Sequence, residues 1–216
     1  VQQILRTREI PSFTLGGSGC AGFVQALDIA ACRLRTKHSR ILVIGVEILS
    51  RIVNWHDRNL CVLFGDAAAA TILEQGAGKA EFLGGVSGTD SSQTEILKLE
   101  VGGTRTPFTL ERAQASEHLD LVMNGREVFK QAVRRMSQAC HEVLDLAGRR
   151  LDEVDLVIPH QANVRIIEAA IKRLGLPMDR TAMVLHRTGN TSAASIPLAM
   201  VDAIDAGRVP HGDLPL

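Results

Sequence analysis

The sequence shows no excess of charge of either sign and no long apolar run. Lys and Arg together number 24, and Asp and Glu together also number 24. A balanced chain has no overall field that would favour nucleic acid or an anionic membrane over other partners. The longest apolar runs, such as 41–46, are too short to span a bilayer. We therefore expect no nucleic-acid or membrane partner and, because residues 1–3 resemble no signal peptide, a cytoplasmic location.

Cysteine and aromatic residues are scarce. The four cysteines stand at positions 20, 32, 61 and 140, and aromatic residues make up 3% of the chain. The cysteines lack the close pairing of a zinc site and the density of a secreted disulfide scaffold, so their spacing indicates no metal ligands. Apolar residues make up 45% of the 216, which suffices for the core of one good-sized domain.

Helical and extended patterns alternate along the chain. Expected strands lie at 41–47, 60–73, 154–158 and 181–186, with a short one before the glycine-rich turn at 16–19. Expected helices follow that turn to about residue 35, run from 125 to a glycine cap at 148, run from about 163 to 174, and end near 207. The β-branched run at 41–47 fits a strand buried on both faces of a parallel sheet. The alternation predicts an α/β protein with a largely parallel sheet.

Three residues with chemical potential stand in loops that directly precede helices. They are Cys20, His160 and Asn190. In open parallel sheets, ligands bind beyond the carboxyl ends of the strands, at the loops that lead into helices. The predicted architecture therefore directs attention to these three positions.

Cys20 lies among small residues, where the backbone must turn sharply and leave the thiol accessible. The positive end of a helix dipole favours a thiolate, so we expect the Cys20 pKa to be lowered from its free value of about 8.5. The alternative is an inert cysteine that behaves as a small buried apolar residue. That alternative is the preferred interpretation for Cys32, Cys61 and Cys140, which fall on apolar helix faces or in a strand.

His160 and Asn190 also have ordinary structural interpretations. His160 follows Pro159 at a strand end, where a histidine can simply satisfy hydrogen bonds in the core. Asn190 follows Gly189, where an asparagine can act as a turn or helix-capping residue. Residue type and position alone leave these alternatives open.

Three segments together closely resemble the active-site segments of type III ketoacyl-(acyl carrier protein) synthases, in that family's order. They are Gly19-Cys20-Ala21-Gly22-Phe23, His160-Gln161-Ala162-Asn163-Val164-Arg165-Ile166 and Gly189-Asn190-Thr191-Ser192-Ala193-Ala194-Ser195. Asp57-Arg58 and the segment 123–130 extend the resemblance over essentially the whole chain. It implies a thiolase-like α/β/α/β/α fold with mainly parallel sheets, in which 1–109 carry the nucleophile and 110–216 carry His and Asn.

The resemblance implies a decarboxylative Claisen condensation that initiates fatty acid synthesis. Cys20 would take an acyl group from acyl-CoA, while His160 and Asn190 would act on a malonyl thioester held by acyl carrier protein. Two neutral donors aimed at the enolate oxygen would stabilise charge only as it develops. The coenzyme A and phosphopantetheine thioesters are substrates, so no cofactor is implied. A homodimer is also implied.

Binding residues follow from the same resemblance. Gly125, Phe129, Ala162 and Asn163 match positions of a phosphopantetheine tunnel, and Arg58 matches a residue near the CoA adenine. The candidates for a basic rim that would receive the carrier protein are Lys130, Arg165, Lys172 and Arg173. Lys172 and Arg173 also have a plain alternative, as solvated charge that complements a helix dipole.

The sequence departs from the family pattern in four places. We expect an incomplete chain, because most of the family's first half is absent and the sequence stops at 212–216, before the glycine-rich segment that supplies one oxyanion-hole N–H. Loss of one such donor costs on the order of 3 kcal/mol of transition-state stabilisation. Asn59 replaces a usual glycine, and 17–19 replaces a small alanine-rich run.

Other functions remain compatible with the same residues. One is a ketosynthase or acyltransferase of specialised, polyketide-type metabolism. A second is a cysteine hydrolase, which would need His160 as a base to Cys20. A third is an inactive truncated scaffold. The presence of both His160 and Asn190 favours decarboxylative condensation over simple acyl transfer.

Overall fold

A computed structural model describes residues 1–76, 80–115 and 121–209. The sequence was expected to end at 212–216, before a glycine-rich segment. Residues 212–216 lie outside the described residues. Within the described ranges, no helix combines the length and the apolarity needed to cross a membrane. The division into 1–109 and 110–216 stays a prediction.

Helices and short strands alternate along the described chain. The α-helices are α1 (Gln2–Leu5), α2 (Gly22–Leu34), α3 (Leu110–Gln114), α4 (Gly125–Ala147), α5 (Val164–Leu174), α6 (Leu185–Thr188) and α7 (Ser195–Asp205). The strands are β1 (Arg40–Ile48), β2 (Asp66–Glu74), β3 (Leu97–Leu99) and β4 (Leu121–Met123). Single 3-10 turns include Gly16–Ala21 and Ser192–Ala194. The predicted helices α2, α4, α5 and α7 are confirmed.

The extended strand pairs of the described chain are antiparallel. β1 pairs with β2 from Arg40 opposite Glu74 to Ile48 opposite Asp66, and β3 pairs with β4. The expected parallel pairing occurs at two single bridges, Phe64 with Asn190 and Val157 with Thr181. The chain between β1 and β2 contains no α-helix that could carry it back to the start of a parallel strand, so it returns in the opposite direction.

The prediction that β1 is buried on both faces is wrong for this chain. Val43 is 5% exposed and lies against Phe23 and Ala30 of α2, whereas Val46 on the opposite face is 59% exposed. Burial therefore alternates along the strand with a period of two. The inner face of β1 packs on α2, and its outer face is apolar but open.

Three other strand predictions need correction. Strand β2 begins only at Asp66, because 60–63 form turns in which the amides of Leu60 and Cys61 donate to the Asp57 carbonyl. Residues 6–15 contain no strand, and 185–186, expected as the end of a strand, begin the helix Leu185–Thr188. The segment 154–158, predicted as a strand, is buried except at Asp155, and its pairing is reduced to a single bridge between Val157 and Thr181.

A second core joins α4 to α5. Its buried members are Leu144, Val154, Val157, Ile167, Ile171 and Leu174. The Ser137 hydroxyl of α4 lies 3.4 Å from the Ala170 carbonyl oxygen of α5, so the two helices are in direct contact. Gly148 and Gly175 end them at φ of 63° and 75°, the left-handed conformation that glycine adopts readily.

Asn190–Ser195, which we call the hub segment, is held against the inner face of β1 and the start of β2. The Asn190 N–H donates to the Leu63 carbonyl (2.7 Å), and the Gly65 N–H donates to the Asn190 carbonyl (3.0 Å). A Cβ at Gly45 would lie 2.6 Å from the Ala193 carbonyl oxygen, so only glycine allows this approach. Helix α7 then begins at the last residue of the segment.

We predict that Gly45→Ala destabilises the protein, because the added methyl group must push the hub segment away from β1. The expected loss in the free energy of unfolding is about 1–3 kcal/mol. Gly88→Ala is the matched control, since a Cβ there would meet nothing within 4 Å. Urea unfolding of both variants measures the difference. Equal stability of the two variants would contradict the close approach described here.

Candidate active site

Cys20 lies in the 3-10 turn Gly16–Ala21, directly before α2. The sharp turn expected there is present: Gly19 adopts φ 49° and ψ −132°, in a region that side-chain-bearing residues rarely occupy. The thiol is partly buried, and the turn that carries it lies against Ser192–Ala194 of the hub segment. The nucleophile candidate is therefore tied to the hub segment rather than open to solvent.

The expected lowering of the Cys20 pKa is wrong. Burial raises the pKa of this thiol above its ordinary value, and the nearby negative charge of Glu47 raises it further, although the hydrogen bond from Ser192 opposes both. Removal of water therefore outweighs the favourable end of α2. Burial also raises the pKa of Cys140, to about 11, while Cys32 is exposed. An unliganded Cys20 is accordingly a thiol at neutral pH.

His160 is held through its Nδ1 atom. This atom lies 2.6 Å from the Ser195 hydroxyl, which also accepts the Gln161 backbone N–H at 3.3 Å. The Ser195 hydroxyl can donate its proton to Nδ1, and in that tautomer the ring proton lies on Nε2. Burial lowers the pKa of His160 to about 4, so the ring is neutral at pH 7. His160 is thus a neutral imidazole whose Nε2–H can donate.

Asn190 is 8% exposed and is oriented by its own loop. Its Oδ1 atom accepts the Ser192 backbone N–H at 2.9 Å, as in an Asx turn. Asn190 therefore acts as a turn residue, which was one of its two interpretations from the sequence. Because the oxygen is used locally, the Nδ2 amine is the part of the side chain that can donate to a ligand.

All three candidate residues converge on the hub segment. Asn190 begins it, the turn that carries Cys20 lies against Ser192–Ala194, and Ser195 binds His160. The arrangement provides one thiol and two neutral N–H donors around a single turn of chain. In the described parts of the chain, no group of three or more His, Cys, Asp or Glu side chains could hold a metal ion. A thiol beside two neutral N–H donors can in principle take up an acyl group and stabilise a developing negative oxygen.

The Gln161 side chain links the loop that carries His160 to residues 182–185. Its side chain is fully buried, and Nε2 donates to the carbonyls of Pro159 (2.8 Å) and Ala182 (3.1 Å). Its Oε1 accepts the backbone N–H groups of Val184 and Leu185, at 2.9 and 3.1 Å. These four contacts satisfy both donor and both acceptor positions of the carboxamide. The junction is therefore rigid.

Sequence reasoning missed the roles of Gln161, Ser192, Ser195 and Glu47. The first three were noted only as parts of motifs. Glu47 carried a signal of its own: it continues the inward positions 41, 43 and 45 of β1, where an acidic residue is unexpected. Ser192, a non-glycine residue at φ 48°, showed no signal in the sequence.

The proposed tunnel residues lie at the starts of two helices. Gly125 and Phe129 belong to the first turns of α4, and Ala162 and Asn163 directly precede α5. Phe129 is 37% exposed. Asn163 caps α5, since its Oδ1 accepts the Arg165 N–H at 2.9 Å. Asn163 thus has a structural role as a helix cap. Its role in binding phosphopantetheine stays a prediction.

The proposed rim residues are all exposed. Lys130 pairs with Glu127 at 2.7 Å within α4, and Lys172 and Arg173 occupy the last turn of α5, where they complement the helix dipole. Arg58 follows Asp57, which lines an open cleft of about 370 Å³. The other lining residues of the cleft are Asn54, Leu60, Glu100, Leu121, Val122 and Met123.

Comparison with solved structures places the fold among the thiolase-fold condensing enzymes. The 3-oxoacyl-(acyl-carrier-protein) synthase III of Aquifex aeolicus VF5 superposes with a TM-score of 0.80 at 42% identity, covering 91% of this chain and 59% of that one. The priming β-ketosynthase of the R1128 polyketide pathway superposes with a TM-score of 0.78 at 28% identity, covering 96% and 66%. The predicted α/β thiolase-like class is confirmed.

Sequence comparison narrows the class. The model of 3-oxoacyl-(acyl-carrier-protein) synthase III matches 17–91, and the model of its C-terminal part matches 144–216. The beta-ketoacyl-(acyl-carrier-protein) synthase III of Roseiflexus castenholzii is 45% identical over 200 residues, or 92% of this chain and 60% of that protein. The chain belongs to the 3-oxoacyl-(acyl-carrier-protein) synthase III family. It spans about 60% of the length of the curated relatives it matches.

We predict that acid destabilises the protein partly through His160. Its pKa in the folded protein, about 4, lies below the ordinary value of 6.5, so the unfolded chain takes up the proton first and protonation favours unfolding. The stabilisation is complete above pH 6.5 and falls by at most about 3 kcal/mol as the pH reaches 4. Urea unfolding at pH 7 and pH 4 should show a weaker pH dependence in His160→Gln. An identical pH dependence in both proteins would refute the assignment.

Proposed function

We propose that this chain is an acyltransferase that catalyses decarboxylative Claisen condensation of an acyl-CoA starter with malonyl-(acyl carrier protein), the reaction that initiates fatty acid synthesis. The observation that carries the proposal is the convergence of Cys20, His160 and Asn190 on the hub segment. Family membership supports the same chemistry.

In the first half-reaction, Cys20 takes the acyl group. The Cys20 sulfur attacks the thioester carbonyl, coenzyme A leaves as its thiol, and an acyl-enzyme remains. Forming this intermediate divides one difficult condensation into two easier steps. The partly buried position of the thiol excludes bulk water from the acyl-enzyme, which favours its transfer to carbon over hydrolysis.

In the second half-reaction, His160 and Asn190 act on the malonyl thioester. Loss of carbon dioxide leaves an enolate, whose oxygen accepts from the His160 Nε2–H and the Asn190 Nδ2–H. Both donors are neutral, so their hydrogen bonds strengthen as the negative charge develops. The low pKa of His160 keeps the imidazole in this neutral form throughout the physiological range. The enolate carbon then attacks the acyl-Cys20 carbonyl, the carbon–sulfur bond breaks, and the Cys20 sulfur leaves as a thiolate that takes up a proton to restore the thiol.

The proposed substrates define the proposed partners. Gly125, Phe129, Ala162 and Asn163 would line the path of a phosphopantetheine arm, with Arg58 near the CoA adenine. Exposed Lys130, Arg165, Lys172 and Arg173 would receive an acidic carrier protein. The thioesters bring the reacting groups, so the proposed chemistry calls for no further cofactor, and we propose a cytoplasmic location.

We further propose a homodimer. The outer face of β1 exposes Leu42, Ile44, Val46 and Ile48, with exposed fractions of 41–59%. A contiguous apolar strand face of this kind favours association, and strand edges are common sites of pairing between subunits. This exposed apolar surface supports the proposal.

A ketosynthase of specialised metabolism is the second candidate function. The likeness to the R1128 priming β-ketosynthase favours it, because that protein shares the fold at 28% identity. The same three residues would act in the same way on a different starter. A cysteine hydrolase is less well supported, because the described side-chain hydrogen bond of His160 goes to Ser195 rather than to Cys20.

We predict that the two half-reactions can be separated by mutation. His160→Ala or Asn190→Ala should lower malonyl decarboxylation about a hundredfold or more, because each removes one enolate donor, while acylation of Cys20 survives. Cys20→Ala should abolish acyl transfer and leave decarboxylation. Carbon dioxide release from malonyl carrier protein and radiolabelled acyl transfer from acetyl-CoA measure the two reactions.

His186→Ala is the control for these variants, since His186 is exposed on α6 and contacts no proposed reacting group. It should retain both activities. If His160→Ala instead removed acylation and left decarboxylation intact, His160 would be the base for Cys20. The hydrolase-like arrangement would then replace the one proposed here.

A further inference from the structure

Glu47 is an acidic side chain on the inner face of β1. Burial alternates along this strand, and Val43 and Gly45 precede Glu47 on the face that packs on α2 and on the hub segment. Glu47 is partly buried, and its Oε1 atom lies 3.2 Å from the Ser192 Oγ atom. A carboxylate can only accept, so the Ser192 hydroxyl is the donor. Burial of a carboxylate costs free energy unless it is hydrogen-bonded, and this contact compensates part of that cost.

Ser192 connects this contact to Asn190. The Ser192 backbone N–H donates to the Asn190 Oδ1 atom at 2.9 Å, in a buried part of the hub segment. A backbone N–H can only donate, so it must meet the oxygen end of the carboxamide. If the carboxamide were turned over, Asn190 would present an acceptor to a ligand in place of its Nδ2 donor. The Ser192 N–H therefore decides which end of the Asn190 side chain the site presents.

The Ser192 backbone has a conformation that is uncommon for residues other than glycine. Its φ is 48°, and such a conformation persists where surrounding contacts hold it. The angle φ describes rotation about the N–Cα bond, which carries the N–H at one end and the side chain at the other. The Asn190 contact holds the N–H and the Glu47 contact holds the side chain. The two hydrogen bonds together fix this rotation.

We propose that Glu47 is a positioning residue that orients the Asn190 carboxamide through Ser192, a role that rests on the proposed function of Asn190 as an enolate donor. The Glu47 carboxylate holds the Ser192 hydroxyl, and the Ser192 N–H holds the Asn190 Oδ1 atom. The Asn190 Nδ2 atom is thereby presented to the enolate oxygen. No proton moves along these groups, and Glu47 touches no reacting atom. The effect of Glu47 on the reaction is one of geometry.

Other carboxylates of the β1–β2 pair have different partners. Asp66 accepts from the Ser50 N–H and hydroxyl, and Glu74 at the far end of β2 pairs with Arg40. The described contacts of both carboxylates therefore go to residues outside the hub segment, whereas the described contact of Glu47 goes to Ser192. Glu74 is accordingly a suitable control for Glu47.

The negative charge of Glu47 has a separate effect on Cys20. It raises the pKa of that thiol, so its removal favours the thiolate. A variant that lacks the Glu47 carboxylate should therefore acylate Cys20 no more slowly than wild type. The two half-reactions should respond differently to Glu47 substitution, whereas general damage to the fold would lower both.

The test is the steady-state kinetics of carbon dioxide release from malonyl carrier protein. Glu47→Ala and Ser192→Ala each remove one partner of the contact. Both should lower kcat about tenfold or more and change KM little, because Asn190 acts on charge that develops during the reaction. Glu47→Gln keeps an acceptor oxygen for Ser192 and should retain most of the wild-type rate. Glu74→Ala is the matched control and should behave as wild type.

A rate for Glu47→Gln as low as that of Glu47→Ala would overturn the proposal, because it would show that the charge matters and the hydrogen bond does not. Unchanged decarboxylation in Glu47→Ala would overturn it as well, and so would an equal loss of acylation and decarboxylation in that variant. Thermal unfolding by circular dichroism identifies any variant that fails to fold. If Glu47→Ala does not fold, Ser192→Ala carries the comparison with Glu47→Gln.

Hydrogen exchange of the Ser192 backbone N–H, followed by nuclear magnetic resonance, tests the same contact without substrate. This N–H should be protected in wild type and in Glu47→Gln, and should exchange about tenfold faster or more in Glu47→Ala. Equal protection in all three proteins would overturn the proposal. If exchange follows the predicted pattern but wild type releases no carbon dioxide, the proposed function fails and the positioning contact stands.

Discussion

The candidate site depends on the backbone hydrogen bonds that fix the hub segment. The main chain of Asn190 lies between Leu63 and Gly65, donating to one and accepting from the other. Gly45 supplies the space in which the Ala193 backbone rests on β1. Once these contacts are made, the side chains of the segment have little freedom. The thiol, the imidazole and the carboxamide are then oriented by neighbours only a few residues apart.

Gln161 extends this constraint to His160. A buried polar side chain costs free energy when a partner is missing, and here two donated and two accepted hydrogen bonds compensate that cost. A carboxamide is the group that can both donate and accept in this way, whereas a carboxylate could only accept. The loop that follows Pro159 therefore cannot shift without breaking contacts to 182–185, and His160 is carried by this rigid unit.

Local features of the fold could be predicted from sequence, and features that depend on distant contacts could not. Helices α4 and α5 followed from apolar spacing and from Gly148 and Gly175, because both signals lie within the helices themselves. The one-sided burial of β1 could not be predicted from the sequence, because a run of β-branched residues does not indicate which face of the strand is covered.

The same distinction between local and long-range features holds for the candidate site. Cys20, His160 and Asn190 were identified from the combination of three motifs, and the structure brings their loops to the hub segment. The direction of the Cys20 pKa was predicted wrongly, because the dipole is a local effect, whereas burial and the charge of Glu47 are set by chain far away in sequence. Ser192 and Glu47 are separated by 145 positions, so their contact has no local signature.

The central claim is that Cys20 is the acyl acceptor of the site built on the hub segment. The most direct measurement is mass-spectrometric peptide mapping of the chain after incubation with acetyl-CoA. The account predicts an acetyl thioester on the peptide that contains Cys20, and none on the peptides of the other three cysteines. Acetylation of Cys32, Cys61 or Cys140 in its place, or no thioester on a folded chain, would contradict it.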